Sequence, residues 1–262
     1  MYIVIGDHAL KSEEELYSSY QQFKGWHADV FGQFRPHEAA YFSFSCSKAA
    51  RCDAERSEKS QRLLEIGFGN GAFLGWAREQ GHEVYGVELQ PHCLAAARAA
   101  GFTACESLVE LKQLLGLRLC DGVVMFDVLE HIPTNGLLQF MKEIRQVMRP
   151  GGWVALRFPN GDSPFGRLNQ HGDLTHGCTL GSVAIQQLAE MTGFRIHTIA
   201  CQPFPIAGNT WVRALTHICL LGLRAIFELP IQALMNLYYP GKLAWFPLHP
   251  NLAVWLIADV EP

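Results

Sequence analysis

The run Leu63-Leu64-Glu65-Ile66 ends in Gly67-Phe68-Gly69-Asn70-Gly71, three glycines at alternate positions, and passes at once into the amphipathic stretch Ala72 to Arg78. This pattern reads as a short apolar strand, a tight turn and the start of a helix. Glycine adopts positive φ without steric penalty and carries no Cβ, so a strand end built from three of them marks a close approach of backbone to ligand. Further on, Glu83 to Glu88 reads as a second strand that ends on a carboxylate. An acidic side chain about 20 residues past such a turn is placed to accept both hydroxyls of a ribose. Both features then fall at one end of a sheet, in one pocket.

The alternation continues along the chain. Strands are expected near 62–66, 83–88, 102–106, 119–126, 152–158 and 194–201, and helices near 71–80, 91–100, 107–116, 134–148 and 181–192. Leu252 to Ala258 reads as a closing strand. Strands and helices alternating at this period imply βαβ units with right-handed crossovers. Ligands of such sheets bind at the carboxyl ends of the strands, where Gly67, Glu88, Glu106, Asp127 and Asn160 all fall. The organisation is therefore a helical cover over 1–60, a core over 61–202, an apolar helical insertion over 203–250 and a closing strand over 251–262. Within the cover, Ser12 with Glu13 to Glu15 reads as the capped start of a helix continuing through Leu16, Tyr20, Phe23, Trp26, Val30 and Phe31. Ala49 to Gln61 reads as an exposed lead-in to the first strand.

Composition excludes several classes. Hydrophobic residues make up 49% of the chain, ample for a core, and the formal net charge of −4 argues against broad electrostatic binding to nucleic acid. The eight cysteines form no C-x-x-C pair. They read as reduced core residues of a cytoplasmic protein, and their spacing suggests no metal cluster. Met1 to Gly6 has neither a basic leader nor a long apolar run, so no signal peptide is read. Trp211 to Tyr239 is nearly all apolar, but Arg213, Arg224 and Glu228 leave no uninterrupted stretch long enough to cross a bilayer. Internal packing, a homodimer contact, or peripheral lipid contact at the inner face of a membrane remain open for it.

The dinucleotide fingerprint G-x-G-x-x-G has a different spacing from the G-x-G-x-G found here, which disfavours a nicotinamide-dependent oxidoreductase. With Glu65 ahead of the turn, the segment resembles motif I of the class I S-adenosylmethionine-dependent methyltransferases. Asp121 to Ile132, which contains Leu129-Glu130-His131, resembles the fourth strand and following loop of that family, and Met141 to Gly152 resembles its helix and Arg-Pro-Gly-Gly turn. The resemblance covers about residues 60–202. It implies an α/β fold with a Rossmann-like seven-stranded, mostly parallel sheet, helices on both faces and the last strand antiparallel. It also implies S-adenosyl-L-methionine as cofactor. Glu65 would hold the methionine ammonium, with the turn Gly67, Phe68, Gly69 and Gly71 beneath it. Glu88 would bind the ribose, Leu89 would pack on adenine, and Glu106 and Ser107 would meet the adenine amino group. Phe126 and Asp127 would floor the methionine end.

The loop after the fifth strand, Asn160 to His176, is long for a compact domain and rich in polar groups. Its Asp173-Leu174-Thr175-His176 is similar to the D-P-T-H of methyltransferases of bacterial surface-polysaccharide biosynthesis, with Leu174 in place of the proline. The acceptor implied is a sugar hydroxyl or sugar-linked group of a glycan precursor, free or lipid-linked. A quinone-like or other apolar small molecule, and a catalytically silent cofactor-binding module, remain as alternatives. If the acceptor is a hydroxyl, His131, His171, Asp173 and His176 are the candidates for general base.

Overall fold

The computed structural model describes residues 28–50, 60–116, 118–202, 211–238 and 248–259. The first half of the described chain runs α1 (Pro36–Ala50), β1 (Arg62–Ile66), α2 (Ala72–Glu79), β2 (Glu83–Val87), α3 (Pro91–Ala99), β3 (Thr103–Cys105) and α4 (Leu108–Leu115). It continues through β4 (Cys120–Phe126), α5 (Leu137–Val147), β5 (Met148–Pro159), α6 (Arg167–His171), α7 (Ser182–Met191), β6 (Phe194–Cys201), α8 (Trp211–Tyr238) and β7 (Asn251–Ala258). Short 3-10 turns occupy Ala28–Val30 and Leu129–His131. The helix expected from Ser12 lies mostly outside the described residues.

The strands form one sheet in the order β3-β2-β1-β4-β5-β7-β6. Strands β1 to β5 are parallel, and β7 pairs antiparallel with both β5 and β6. Strand order reverses between β1 and β4, which opens a crevice above their carboxyl ends. The central strands are covered on both faces, so Leu63, Leu64, Glu65 and Ile66 are all buried, as in a parallel sheet flanked by helices. On one face α5 contributes Leu137, Met141, Ile144 and Val147, spaced to form one helical stripe over Val123, Met125, Val154 and Leu156. On the other face Tyr41 and Phe42 of α1 join Phe73 and Trp76 of α2 above Trp153 and Trp255.

Helix α1 lies within the span expected as a helical cover, although no start or end is read for it in the sequence. Its start is nonetheless encoded: Pro36 sits at the first helical position, and the Arg35 backbone N–H donates to Glu38 Oε2 at 2.6 Å. The lead-in expected to be exposed is corrected at both ends. Ala49 is fully buried, and Gln61 is buried with its Oε1 accepting from Trp153 Nε1 at 3.3 Å. Sheet coverage overrides local polarity there. Cys93, Cys105, Cys120 and Cys178 are free and buried, as expected, whereas Cys219 is exposed on α8.

Among the described residues, the insertion holds the 28-residue helix α8, which passes through Pro230. Its side chains Leu223, Ile226, Phe227 and Leu237 are exposed, while Gln232 is buried. No helix among the described residues is long and apolar enough to cross a membrane.

Candidate active site

A cavity of about 880 Å³ lies at the carboxyl ends of β1 to β5, roofed by α1. Its β1–β3 half is built on the glycine turn. Gly67, Gly69 and Gly71 have φ of 68°, 51° and 71°, all in the left-handed region. A Cβ on Gly67 would stand 2.7 Å from Val128 Cγ2, so the bare backbone is what lets the turn pass the loop after β4. All the expected cofactor residues line the cavity except Gly71. That glycine caps α2, and a Cβ there would meet the Phe31 ring at 2.3 Å, so its work is to turn the chain into the helix.

Two carboxylates face this half. Glu88 is buried, and each of its oxygens accepts a backbone N–H: Oε2 from Gly69 at 3.0 Å and Oε1 from Gln90 at 2.9 Å. A carboxylate has about four lone-pair sites, so both oxygens keep capacity for a bidentate ligand. Glu65 is buried, accepts a backbone hydrogen bond from Leu74, and leaves Oε2 without a hydrogen-bond partner. Burial pushes its carboxyl well above the usual range, with the Leu74 bond opposing and the nearby Glu88 adding. An orphaned buried carboxylate oxygen beside a second carboxylate suits a cationic group such as an ammonium. Leu89 is 74% exposed despite its size and forms an apolar lip. Ser107 spends its hydroxyl capping α4, accepting from Glu110 N at 3.2 Å, and the Glu106 N–H donates to Glu110 Oε2 at 2.8 Å. Only their remaining atoms are free for a ligand.

The β4–β5 half is held by side chains instead. Asp127 has φ of 60°, a strained conformation of the kind found at functional sites. Arg157 grips it with a two-pronged ion pair, Nε to Oδ1 at 3.0 Å and Nη2 to Oδ2, and its guanidinium lies 5.2 Å and 5.3 Å from the Tyr41 and Phe126 rings. His131 lines the cavity, with Nδ1 2.9 Å from Thr175 Oγ1 and 3.3 Å from Thr175 O. Thr175 in turn donates Oγ1–H to Asp173 Oδ1 at 2.6 Å.

The four candidate bases therefore separate. His131 reaches the cavity, and Asp173 is engaged with the Thr175 hydroxyl and backbone N–H. His176 stands behind His131, ring centroids 4.8 Å apart, and His171 is exposed at the end of α6, away from the cavity. His37, Glu38, Tyr41 and Phe42 of α1, together with Arg157 and Gln202, also line the cavity. The sequence reading missed them; the Pro36-x-Glu38 helix start signals the helix that carries the first four, not its place over the cavity.

Comparison with known proteins defines the class. A model of the methyltransferase domain family matches residues 26–199, and the chain belongs to that family. The chain therefore carries a methyltransferase domain. Over 102 residues it is 24% identical to the ubiquinone biosynthesis O-methyltransferase of Leptothrix cholodnii, a match covering 36% of this chain and 43% of that protein, so it spans less than half the length of that relative. The fold is shared with a SAM-dependent methyltransferase from Archaeoglobus fulgidus (TM-score 0.53, 21% identity, 82% of this chain and 94% of that one). It is shared too with the magnesium protoporphyrin IX methyltransferase of Synechocystis, solved with bound SAH (TM-score 0.56, 12% identity, 94% and 100%).

Proposed function

We propose that this methyltransferase acts on a hydroxyl group of a sugar unit in a glycan precursor. When bound, S-adenosylmethionine supplies a methyl group already activated on a sulfonium. In this reading Glu65 takes the ammonium, Glu88 the ribose hydroxyls, Leu89 with the backbone edges of Glu106 and Ser107 the adenine, and Phe126 and Asp127 the methionine end. The acceptor occupies the β4–β5 half. What carries the reading is a group of hydrogen-bonding side chains on the cavity wall, His131, Arg157, Gln202, His37 and Glu38, set among apolar neighbours such as Val128, Ile132 and Phe140 and able to meet the hydroxyls of a sugar ring. The enzyme's task is then chiefly alignment, holding an acceptor oxygen in line with the methyl group. Among the four candidate bases, His131 is the one positioned to deal with the hydroxyl proton, and α1 roofs the cavity against water.

A second reading, methylation of a quinone-like phenol, is favoured by the likeness to the ubiquinone biosynthesis enzyme over 102 residues. For a lipid-linked sugar, the exposed apolar side chains of α8 are the part of the described chain suited to contact with the lipid. The deciding experiment is transfer of labelled methyl from SAM to cell extract split into lipid-linked, nucleotide-sugar and small-molecule pools. Label in a sugar-containing pool supports the proposal; label confined to an apolar phenol replaces it with the second reading.

A further inference from the structure

Glu130, His131 and His176 bring one carboxylate and two imidazoles together, and a ligand-capable atom from each lies within 4.8 Å of the others. Two elements far apart in sequence supply them: the 3-10 turn after β4 and the loop after α6. Backbone bonds hold these elements in place, since Gly177 N and Cys178 N both donate to the Glu130 carbonyl, at 2.7 and 3.2 Å.

The hydrogen bonds also fix both rings. The Thr175 hydroxyl gives its one proton to Asp173 Oδ1, so toward His131 it can only accept, and His131 Nδ1 must be the donor. His176 Nδ1 lies 2.9 Å from the Gln170 carbonyl, which can only accept, so this ring donates there too. In both neutral rings the lone pair then resides on Nε2. A histidine whose Nδ1–H is tied to a carbonyl or to a carboxylate-linked group is the usual outer support of a metal ligand.

We propose that Glu130, His131 and His176 bind a divalent transition-metal ion, zinc in the first instance. Two imidazoles and a carboxylate match the three-ligand set of catalytic zinc sites, which keep a fourth position open. Imidazole nitrogen selects this class of ion over magnesium or calcium, which prefer oxygen. The inference rests on the acceptor meeting the His131 wall. On the His131 side such an ion would supply Lewis-acid activation of an acceptor hydroxyl, whose proton would pass to solvent. His131 serves in this arrangement as a ligand rather than as the base itself.

The test is direct titration of untagged protein, stripped with a chelator, with ZnCl2 by calorimetry. One site with a Kd of about 1 µM or tighter is expected. His176→Ala should weaken it by about 100-fold or more and Thr175→Val by about 10-fold, the range for an outer-shell partner. SAM titrated into the same variants should bind as in the wild type, so loss of the metal site and failure of the methyltransferase reading are separable. Co2+ added to the wild type should give the visible absorption of a low-coordinate site, a readout independent of any variant folding. Absence of saturable zinc uptake, zinc affinity unchanged in His176→Ala, or no such Co2+ spectrum would each overturn the proposal.

Discussion

The two halves of the cavity are built by different means. Over β1 to β3 the polar groups are held by backbone: Glu88 by the N–H groups of Gly69 and Gln90, Glu65 by that of Leu74. Over β4 and β5 they are held by side chains of other elements: Asp127 by Arg157, and His131 by Thr175 and Asp173. Backbone-held groups are placed by the strand and turn they belong to, so they suit a cofactor that stays the same. Side-chain-held groups are placed by partners that can be exchanged one at a time, which in the proposed reading suits the place where the methionine end of the cofactor at Asp127 meets the acceptor at His131.

The largest test of this contrast is Gly67→Ala. It combines a left-handed φ, about 1–2 kcal/mol, with overpacking against Val128, about 1–3 kcal/mol. Chemical denaturation should show a loss of about 3 kcal/mol. Gly151→Ala has similar φ but no neighbour closer than 3.5 Å, and should lose only the conformational part. Equal losses would mean that the close approach to Val128 is not what the turn is for. Next in size, Glu88→Ala removes a charge-assisted acceptor and should weaken SAM binding by about 2 kcal/mol in calorimetry. Unchanged binding would break the assignment of this half to the cofactor.

Asp173→Ala is expected to act on the other half alone. Without its acceptor the Thr175 hydroxyl is free to donate to His131 and reverse the ring's tautomer. Turnover should fall about tenfold, some 1.4 kcal/mol, with SAM affinity intact. Parallel loss of SAM affinity would show that the halves are not separable. The smallest effect concerns Glu65 in the cofactor-free protein. Its folded-state pKa is raised, so the folded state holds a proton that the unfolded chain has released, and stability falls as pH climbs from the ordinary carboxylate range toward that raised value. Glu65→Gln should flatten this part of a Tm–pH profile while weakening SAM binding; an unchanged profile would mean that Glu65 ionises freely.

Sequence reading succeeded where neighbours in the chain decide the structure. The β1 strand, the glycine turn and Glu88 followed from local pattern, and β6 was expected over the residues it occupies, Phe194–Cys201. The reading faltered where docking decides. Tyr41 and Phe42 carry no local sign that their helix will roof the cavity, and Arg157 is an ordinary strand residue until Asp127 closes on it. Gly71 belongs to the motif yet serves the helix, because Phe31 fills the space beside it. Glu130, His131 and His176 are split between two loops, so no short spacing pattern could announce them as a group.

The placement of β7 bears on the order in which the molecule assembles. This strand lies between β5 and β6, yet it follows both in the chain, and among the described residues β6 pairs with no other strand. Strand β6 therefore cannot join until the chain that leaves at Cys201 returns at Asn251. Closing an unstructured segment of roughly 50 residues costs about 3 kcal/mol of chain entropy, recovered only once both ladders of β7 form. Until then β5 stands as a bare edge open to pairing with other chains. Refolding should accordingly have a late, concentration-sensitive phase, and a pre-formed α8, by shortening the wandering part of the segment, would act as its accelerator.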